Sequence, residues 1–181
     1  MKVTMQPEEI HCDHPHGAVP FIIQRLALEN VEPRLIRLEG TMLAGKSSLA
    51  HRLTEALGAT RVAADHFNAL RDKIGLGRYR DALRSALASK RWVVTDSVRL
   101  GEIAPEQQFG RGYRVYIKRL RILLGDRGWP YGFDIDDEEH SPPGENPLER
   151  SIRLYHREYR PHEAADLIVN VPDEERGYRW P

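Results

Sequence analysis

The chain has little of what marks secreted, disulfide-bonded or membrane-spanning proteins. Its 181 residues include one cysteine, Cys12, which excludes an intrachain disulfide and is typical of a reducing compartment. No segment approaches the roughly 20 consecutive apolar residues that a membrane-spanning helix needs. Residues 1–9 lack the apolar core of a signal peptide. We therefore expect a cytoplasmic protein without a membrane partner.

An excess of one charge is also missing. There are 27 lysines and arginines against 27 aspartates and glutamates, so the overall charge gives no reason to expect a nucleic-acid partner. The length suits one domain. Residues 1–17 are polar and rich in histidine and show no periodicity. We predict a flexible arm over residues 1–17 and one domain over residues 18–181, and the pattern leaves the oligomeric state open.

Apolar periodicity indicates strands that alternate with helices. Apolar residues at helical spacing predict four helices, which include residues 18–29, 49–57, 79–87 and 148–159. Short apolar runs predict strands at 34–38, 60–64, 92–95, 113–117 and 167–169. This alternation implies right-handed crossovers and a parallel sheet of about five strands with helices on both faces, which is a three-layer α/β fold.

A glycine-rich motif, G-x-x-x-x-G-K-S, lies between the first predicted strand and the helix that follows it. Such a loop aims backbone N–H groups at phosphate oxygens, and the helix adds its positive N-terminal end. Lys46 is predicted to reach the β- and γ-phosphates and Ser47 to hold Mg²⁺, which indicates ATP and Mg²⁺ as cofactors. The alternative is a glycine turn that only caps a helix. The predicted nucleotide-binding residues are Gly40, Thr41, Met42, Leu43, Ala44, Gly45, Lys46, Ser47 and Ser48.

Two carboxylates follow predicted strands. Asp65 comes after the second strand and Asp96 ends the third, and the carboxyl ends of parallel strands line the same ligand crevice. Asp65 is predicted to orient and deprotonate an acceptor hydroxyl, and Asp96 to bind Mg²⁺ directly or through water. The alternatives are that Asp65 caps the next helix and that Asp96 is an ordinary turn residue.

An arginine-rich segment follows the fourth predicted strand. Phosphoryl transfer needs cations around the oxygens of the moving group. A helix that carries Arg119, Arg121 and Arg127 would supply them as a lid, within a lid region of about residues 118–147. The alternative is a basic helix face exposed to solvent.

These motifs come in the order seen in one family. The glycine motif is followed by Asp65-His66-Phe67, by Arg119-Leu120-x-x-Leu123 and by the run from Tyr159 to Val169. In this order the chain resembles uridine kinase-like P-loop kinases, a group that includes nicotinamide riboside and pantothenate kinases. The resemblance implies a P-loop NTPase fold and transfer of the ATP γ-phosphate to a hydroxyl of a small acceptor, such as a nucleoside or similar metabolite. It also implies that Asp65 serves that hydroxyl.

The chain departs from this family at three places. The lid of the family reads Arg-Asp where this chain has Gly125-Asp126, and neither the segment Arg71–Gly75 nor the acidic run Asp134–Glu139 has a counterpart. The acceptor and the choice between ATP and GTP therefore stay open. So do three alternatives: a nucleotide or nucleic-acid end kinase, a regulatory nucleotide-binding module that hydrolyses slowly, and an interaction protein with a relic loop.

Overall fold

The computed structural model describes residues 6–121, 129–130 and 146–172, with the backbone alone described at 119–121, 129–130 and 172. The helices of this part are α1 (Val19–Leu28), α2 (Lys46–Leu57), α3 (Lys73–Ala88), α4 (Leu100–Ile103), α5 (Glu106–Phe109) and α6 (Pro147–Tyr159). The strands are β1 (Glu8–His11), β2 (Leu35–Gly40), β3 (Thr60–Ala63), β4 (Val93–Asp96), β5 (Tyr113–Arg121), β6 (Trp129–Pro130) and β7 (Leu167–Pro172).

The strands form one sheet in the order β1-β7-β5-β2-β4-β3, in which all neighbours are parallel. The short strand β6 pairs antiparallel with the end of β5. The predicted parallel sheet is confirmed, and β1 and β6 raise the number of strands above the prediction. From β2 the chain continues to one side of the sheet and from β5 to the other, which makes the carboxyl ends of β2 and β5 a topological switch point where ligands bind.

Helices cover both faces of the sheet, as the alternation predicted. On one face α1 and α2 bury an apolar cluster that includes Ile22, Leu49 and Leu53 against the strands. On the other face α3, α4 and α5 bury a second cluster that includes Leu83 and Phe109, and α6 packs beside them. No helix in the described part of the chain is long and apolar enough to cross a membrane.

A buried polar contact fixes α3 on the sheet. The Tyr79 hydroxyl lies 2.7 Å from Thr95 Oγ1, which donates to the Val62 carbonyl at 2.8 Å. Burial raises the pKa of Tyr79 to about 12, so this hydroxyl keeps its proton. The contact joins α3, β3 and β4 one residue before Asp96 and thereby holds the end of β4 in place.

The N-terminal segment contains a strand that the sequence analysis missed. The predicted flexible arm includes β1, which pairs with β7 over four residues. Asn170 Nδ2 donates to Glu9 at 3.1 Å, and Glu8 forms an ion pair with Arg25 of α1. The sequence analysis missed this strand because a polar edge strand takes its stability from backbone bonds to its neighbour, which no apolar pattern records.

The predicted lid helix differs from the structure at its start. Residues 118–121, which include Arg119 and Arg121, continue β5 as a strand and do not form a helix. The β-ladders explain this, because Leu120 pairs with Pro172 on one side and with Pro130 on the other. Arg127, the acidic run 134–139 and most of the predicted lid region, 118–147, lie outside the described residues.

Removal of residues 1–11 is expected to destabilise the domain. The deletion removes β1 and its hydrogen bonds to β7, each of which contributes about 1 kcal/mol, so the free energy of unfolding in urea should fall by about 2–4 kcal/mol. Removal of residues 1–5 alone is the control and should leave stability unchanged. Equal urea midpoints for the two truncations would contradict the role assigned to β1.

Candidate functional site

The glycine motif forms a tight loop between β2 and α2. At Gly40 a Cβ atom would lie 2.4 Å from the carbonyl oxygen of Ile117 on β5. Gly45 has a φ of 91°, in the left-handed region that favours glycine, and a Cβ there would lie 2.2 Å from Pro15 Cγ. Both glycines of the motif are therefore required by the backbone. In this three-layer architecture such a loop defines the P-loop NTPase fold.

The first turn of α2 presents unpaired amides at the loop. Gly45 is the N-cap of α2, and the first helical backbone bond runs from the Leu49 amide to the Gly45 carbonyl at 3.1 Å. The amides of Lys46, Ser47 and Ser48 therefore have no acceptor within the helix. Together with the positive end of the helix dipole they favour a bound oxyanion.

The other motif residues line the loop without adding charge. Thr41 and Met42 are partly buried, Leu43 is 73% exposed with a φ of 59°, and Ala44 is fully buried against the core. The Ala44 amide bonds the Thr41 carbonyl at 3.4 Å. The structure thus brings together all the predicted nucleotide-binding residues, 40–48, on one turn and the helix start.

Lys46 carries a buried positive charge into this loop. It is 9% exposed, and its Nζ donates to the Thr41 carbonyl. Burial lowers the pKa of the Lys46 amine to about 8, while the charges of Asp96, Asp65 and Glu39 act in the opposite direction. An ammonium group that is this poorly solvated gains from a phosphate oxygen within reach.

Ser47 and Asp96 meet beside Lys46. Asp96 is 4% exposed at the end of β4, and Ser47 Oγ donates to its Oδ2 at 3.1 Å. Arg61 of β3 donates to both carboxylate oxygens, from Nε at 3.0 Å and from Nη2 at 2.9 Å. Because the Ser47 proton points to Asp96, the lone pairs of Oγ remain for a cation such as Mg²⁺.

Asp65 lies on a 3-10 turn that directly follows β3. The alternative that Asp65 caps the next helix is wrong, because the N-cap of α3 is Asp72, which accepts from the Gly75 amide at 2.6 Å. The Asp65 side chain is exposed, and within the described residues it accepts no hydrogen bond. The Asp65 carboxylate is therefore open to solvent at the carboxyl-end edge of the sheet, where Lys46 also lies.

Glu39 is a site residue that the sequence analysis missed. It lies on β2 just before Gly40, partly buried, and its Oε1 accepts from the Tyr155 hydroxyl at 2.6 Å and from the Leu100 amide at 2.8 Å. Burial raises the pKa of the Glu39 carboxyl above its usual value, and the nearby charges of Arg37 and Lys46 oppose that rise. A carboxylate within an apolar strand was the available signal in the sequence.

Helix α6 is tied to the site through this glutamate and through a second polar contact. Tyr155 also accepts from the Gly101 amide at 2.9 Å. The next residue, His156, is fully buried, and its Nδ1 lies 3.0 Å from the Tyr116 hydroxyl of β5. Burial lowers the pKa of His156 to about 3, so its ring is neutral and serves packing.

The closing run of the resemblance has a structural role. Asp166 Oδ2 accepts from the Arg114 amide at 2.8 Å, and its Oδ1 pairs with Arg111. These contacts join the start of β7 to the start of β5, at the edge of the sheet opposite to Lys46. Asp166 therefore helps to set the register of the last strand.

Comparisons with known proteins give a likeness in structure only. No family model and no curated protein sequence matches the chain. Among solved structures it is similar to shikimate kinase from Aquifex aeolicus vf5, with 18% identity and a TM-score of 0.46, over 75% of this chain and 85% of that one. It is also similar to shikimate kinase from Bacteroides thetaiotaomicron, with 16% identity and a TM-score of 0.41, over 76% and 86%. At these values the likeness supports no conclusion about activity.

Replacement of Lys46 by methionine is expected to change how stability depends on pH. Burial lowers the pKa of Lys46 from 10.5, its ordinary value in an unfolded chain, to about 8 in the folded protein. The unfolded state thus holds more protons between these values, and the free energy of unfolding rises with pH. Lys46→Met should be more stable than the natural protein at pH 7, and this advantage should shrink by about 1 kcal/mol by pH 9.

Urea unfolding at several pH values measures this difference. Lys73→Met, at an exposed lysine of α3, is the control and should differ from the natural protein by a constant amount. A constant difference for Lys46→Met as well would show that burial does not lower the pKa of Lys46.

Proposed function

We propose that the chain is an ATP-dependent phosphotransferase of the uridine kinase-like type, which transfers the γ-phosphate of ATP to a hydroxyl of a small acceptor such as a nucleoside. The observation that carries this proposal is the buried Lys46 ammonium next to the unpaired amides of Lys46, Ser47 and Ser48. This group of donors fits the oxygens of a polyphosphate. We place the reaction in a soluble cytoplasmic protein.

Each side chain of the loop has one role in this proposal. Lys46 binds the β- and γ-phosphate oxygens, and Ser47 holds Mg²⁺ through Oγ, whose proton Asp96 accepts. ATP–Mg²⁺ supplies the activated phosphoryl group and neutralises part of its charge. Arg119, Arg121 and Arg127 are proposed as the lid cations, with Arg119 and Arg121 on the extension of β5 beyond Ile117, which pairs with Gly40.

Asp65 is proposed as the base that orients and deprotonates the acceptor hydroxyl. Its exposure and its lack of a partner among the described side chains suit a group that waits for substrate. Glu39 is a second candidate, because burial raises its pKa towards neutrality and the efficiency of a general base increases there. Both carboxylates act on the pKa of Lys46, so both belong to the same site.

Purified protein with ATP–Mg²⁺ is expected to release ADP faster with one acceptor from a panel of nucleosides, nucleotides, vitamins, sugars and oligonucleotides. Lys46→Ala should abolish this activity together with ATP binding, because the loop loses its cation. Arg84→Ala, at an exposed arginine of α3 paired with Asp81, is the control and should retain both. A stimulating oligonucleotide would favour an end kinase, and ATP binding without any stimulating acceptor would favour a regulatory module.

Asp65→Asn and Glu39→Gln are expected to separate the two candidate bases. The variant of the true base should keep ATP binding and lose at least about 100-fold in kcat, since general base catalysis contributes that much. We expect this loss for Asp65→Asn. Glu39→Gln keeps the acceptor atom for Tyr155 and Leu100 and should mainly change KM. The reverse assignment would follow from a kcat loss confined to Glu39→Gln, and a loss in neither variant would contradict a carboxylate base.

A further inference from the structure

The environment of Asp96 differs from that of a carboxylate which waits for a metal ion. Both oxygens are already engaged: Oδ1 accepts from Arg61 Nε at 3.0 Å, and Oδ2 accepts from Arg61 Nη2 at 2.9 Å and from Ser47 Oγ at 3.1 Å. Asp96 is 4% exposed, and the Arg61 side chain is 22% exposed. A bidentate guanidinium–carboxylate pair of this kind combines two charge-assisted hydrogen bonds with a fixed relative orientation of the two groups.

The sheet register explains why these groups meet. Arg61 pairs with Val94 across β3 and β4. Residues 94 and 96 share the face of the sheet that carries α2, because Val94 packs in the cluster of α1 and α2. Arg61 therefore lies diagonally opposite Asp96, which is two residues along β4 from Val94 on the same face. Ser47 approaches the same carboxylate from the first turn of α2.

This arrangement has a consequence for divalent cations. A carboxylate paired with a guanidinium presents little net charge to an approaching ion, and an ion that binds Asp96 directly competes with Arg61 and Ser47 for its oxygens. Lys46, another cation, lies near enough to be affected by the charge of Asp96. Arg61 thus offsets the charge of Asp96, so that direct binding of a lone Mg²⁺ at this carboxylate is less favourable than it would be without Arg61.

We propose that Arg61 is a positioning residue that holds Asp96 as the acceptor of the Ser47 hydroxyl and prevents the loop from binding a divalent cation before the nucleotide. Ser47 Oγ would then hold the metal together with the nucleotide phosphates, and Asp96 would act through Ser47. This proposal rests on the proposed function for the identity of the nucleotide. Its core, the low affinity of the empty loop for metal, depends only on Arg61, Ser47 and Asp96.

The test is a titration with Mn²⁺ alone, followed by electron paramagnetic resonance, for the natural protein and for Arg61→Met. Methionine keeps much of the length of the arginine side chain and removes its charge and donors. We expect Arg61→Met to bind Mn²⁺ at least tenfold more tightly than the natural protein. Arg61→Met combined with Asp96→Asn should lose this gain. Arg84→Met, which removes another Arg–Asp pair from an exposed helix face, should bind like the natural protein.

Arg61→Lys covers the case in which Arg61→Met does not fold, as judged by circular dichroism. A lysine keeps the charge but offers no planar pair of donors, so one oxygen of Asp96 is freed, and a smaller gain in Mn²⁺ affinity is expected. Unchanged Mn²⁺ affinity in the folded variants would overturn the proposal.

Calorimetry of ATP–Mg²⁺ with the natural protein separates this proposal from the proposed function. If Arg61→Met gains Mn²⁺ affinity and the natural protein does not bind ATP–Mg²⁺, the role of Arg61 stands and the kinase proposal fails. If the natural protein binds ATP–Mg²⁺ and Arg61→Met shows no gain, the role of Arg61 fails and the kinase proposal stands.

Discussion

The burial of the Lys46 ammonium is the constraint on which the site depends. A charged amine that is 9% exposed and donates to a single loop carbonyl is costly to hold. Three carboxylates, Glu39, Asp65 and Asp96, offset part of this cost through their charges, yet the pKa of Lys46 still falls to about 8. The Lys46 ammonium therefore stays incompletely compensated at the loop, and an anionic ligand would stabilise it.

The sheet holds Lys46 and the carboxylates around it in fixed positions. Leu38, Asp96 and Ala63 lie in register across β2, β4 and β3, so the groups that follow these residues emerge at one edge. Apolar clusters on both faces hold this edge. On the face of α6, Glu39 binds Tyr155 and Leu100, which couples the position of α6 and α4 to the strand that enters the loop. On the opposite face Arg61 and Asp96 set the position of Ser47.

Local patterns in the sequence predicted the parts of the structure that local forces determine. The spacing of Gly40, Gly45 and Lys46 predicted the loop, because its geometry requires glycines at fixed positions. The apolar runs predicted the central strands, and Asp96 was placed correctly since it ends such a run. The bounds of α1 and α6 were predicted to within about one residue, which is the usual precision of helix ends.

Contacts between residues that are far apart in the sequence determine the parts of the structure that local patterns did not predict. The strand β1 and the extension of β5 through residues 118–121 form because neighbouring strands offer backbone partners, and no periodicity in their own residues records this. The pairing of Arg61 with Asp96 and of Glu39 with Tyr155 likewise depends on sheet register and on the packing of α6. The lid arginines stay a prediction, because the side chains of residues 119–121 and all of Arg127 lie outside the described part.

Proton uptake on nucleotide binding tests the central claim most directly. Calorimetric titration of the protein with ATP–Mg²⁺ at pH 8, in buffers of different ionisation enthalpy, measures the number of protons that binding takes up. Since the pKa of Lys46 in the free protein is about 8, a phosphate partner that raises it should draw about half a proton from the buffer. Binding with no proton uptake, or no binding of ATP–Mg²⁺ at all, would contradict the account of Lys46 as a buried cation that awaits a phosphate.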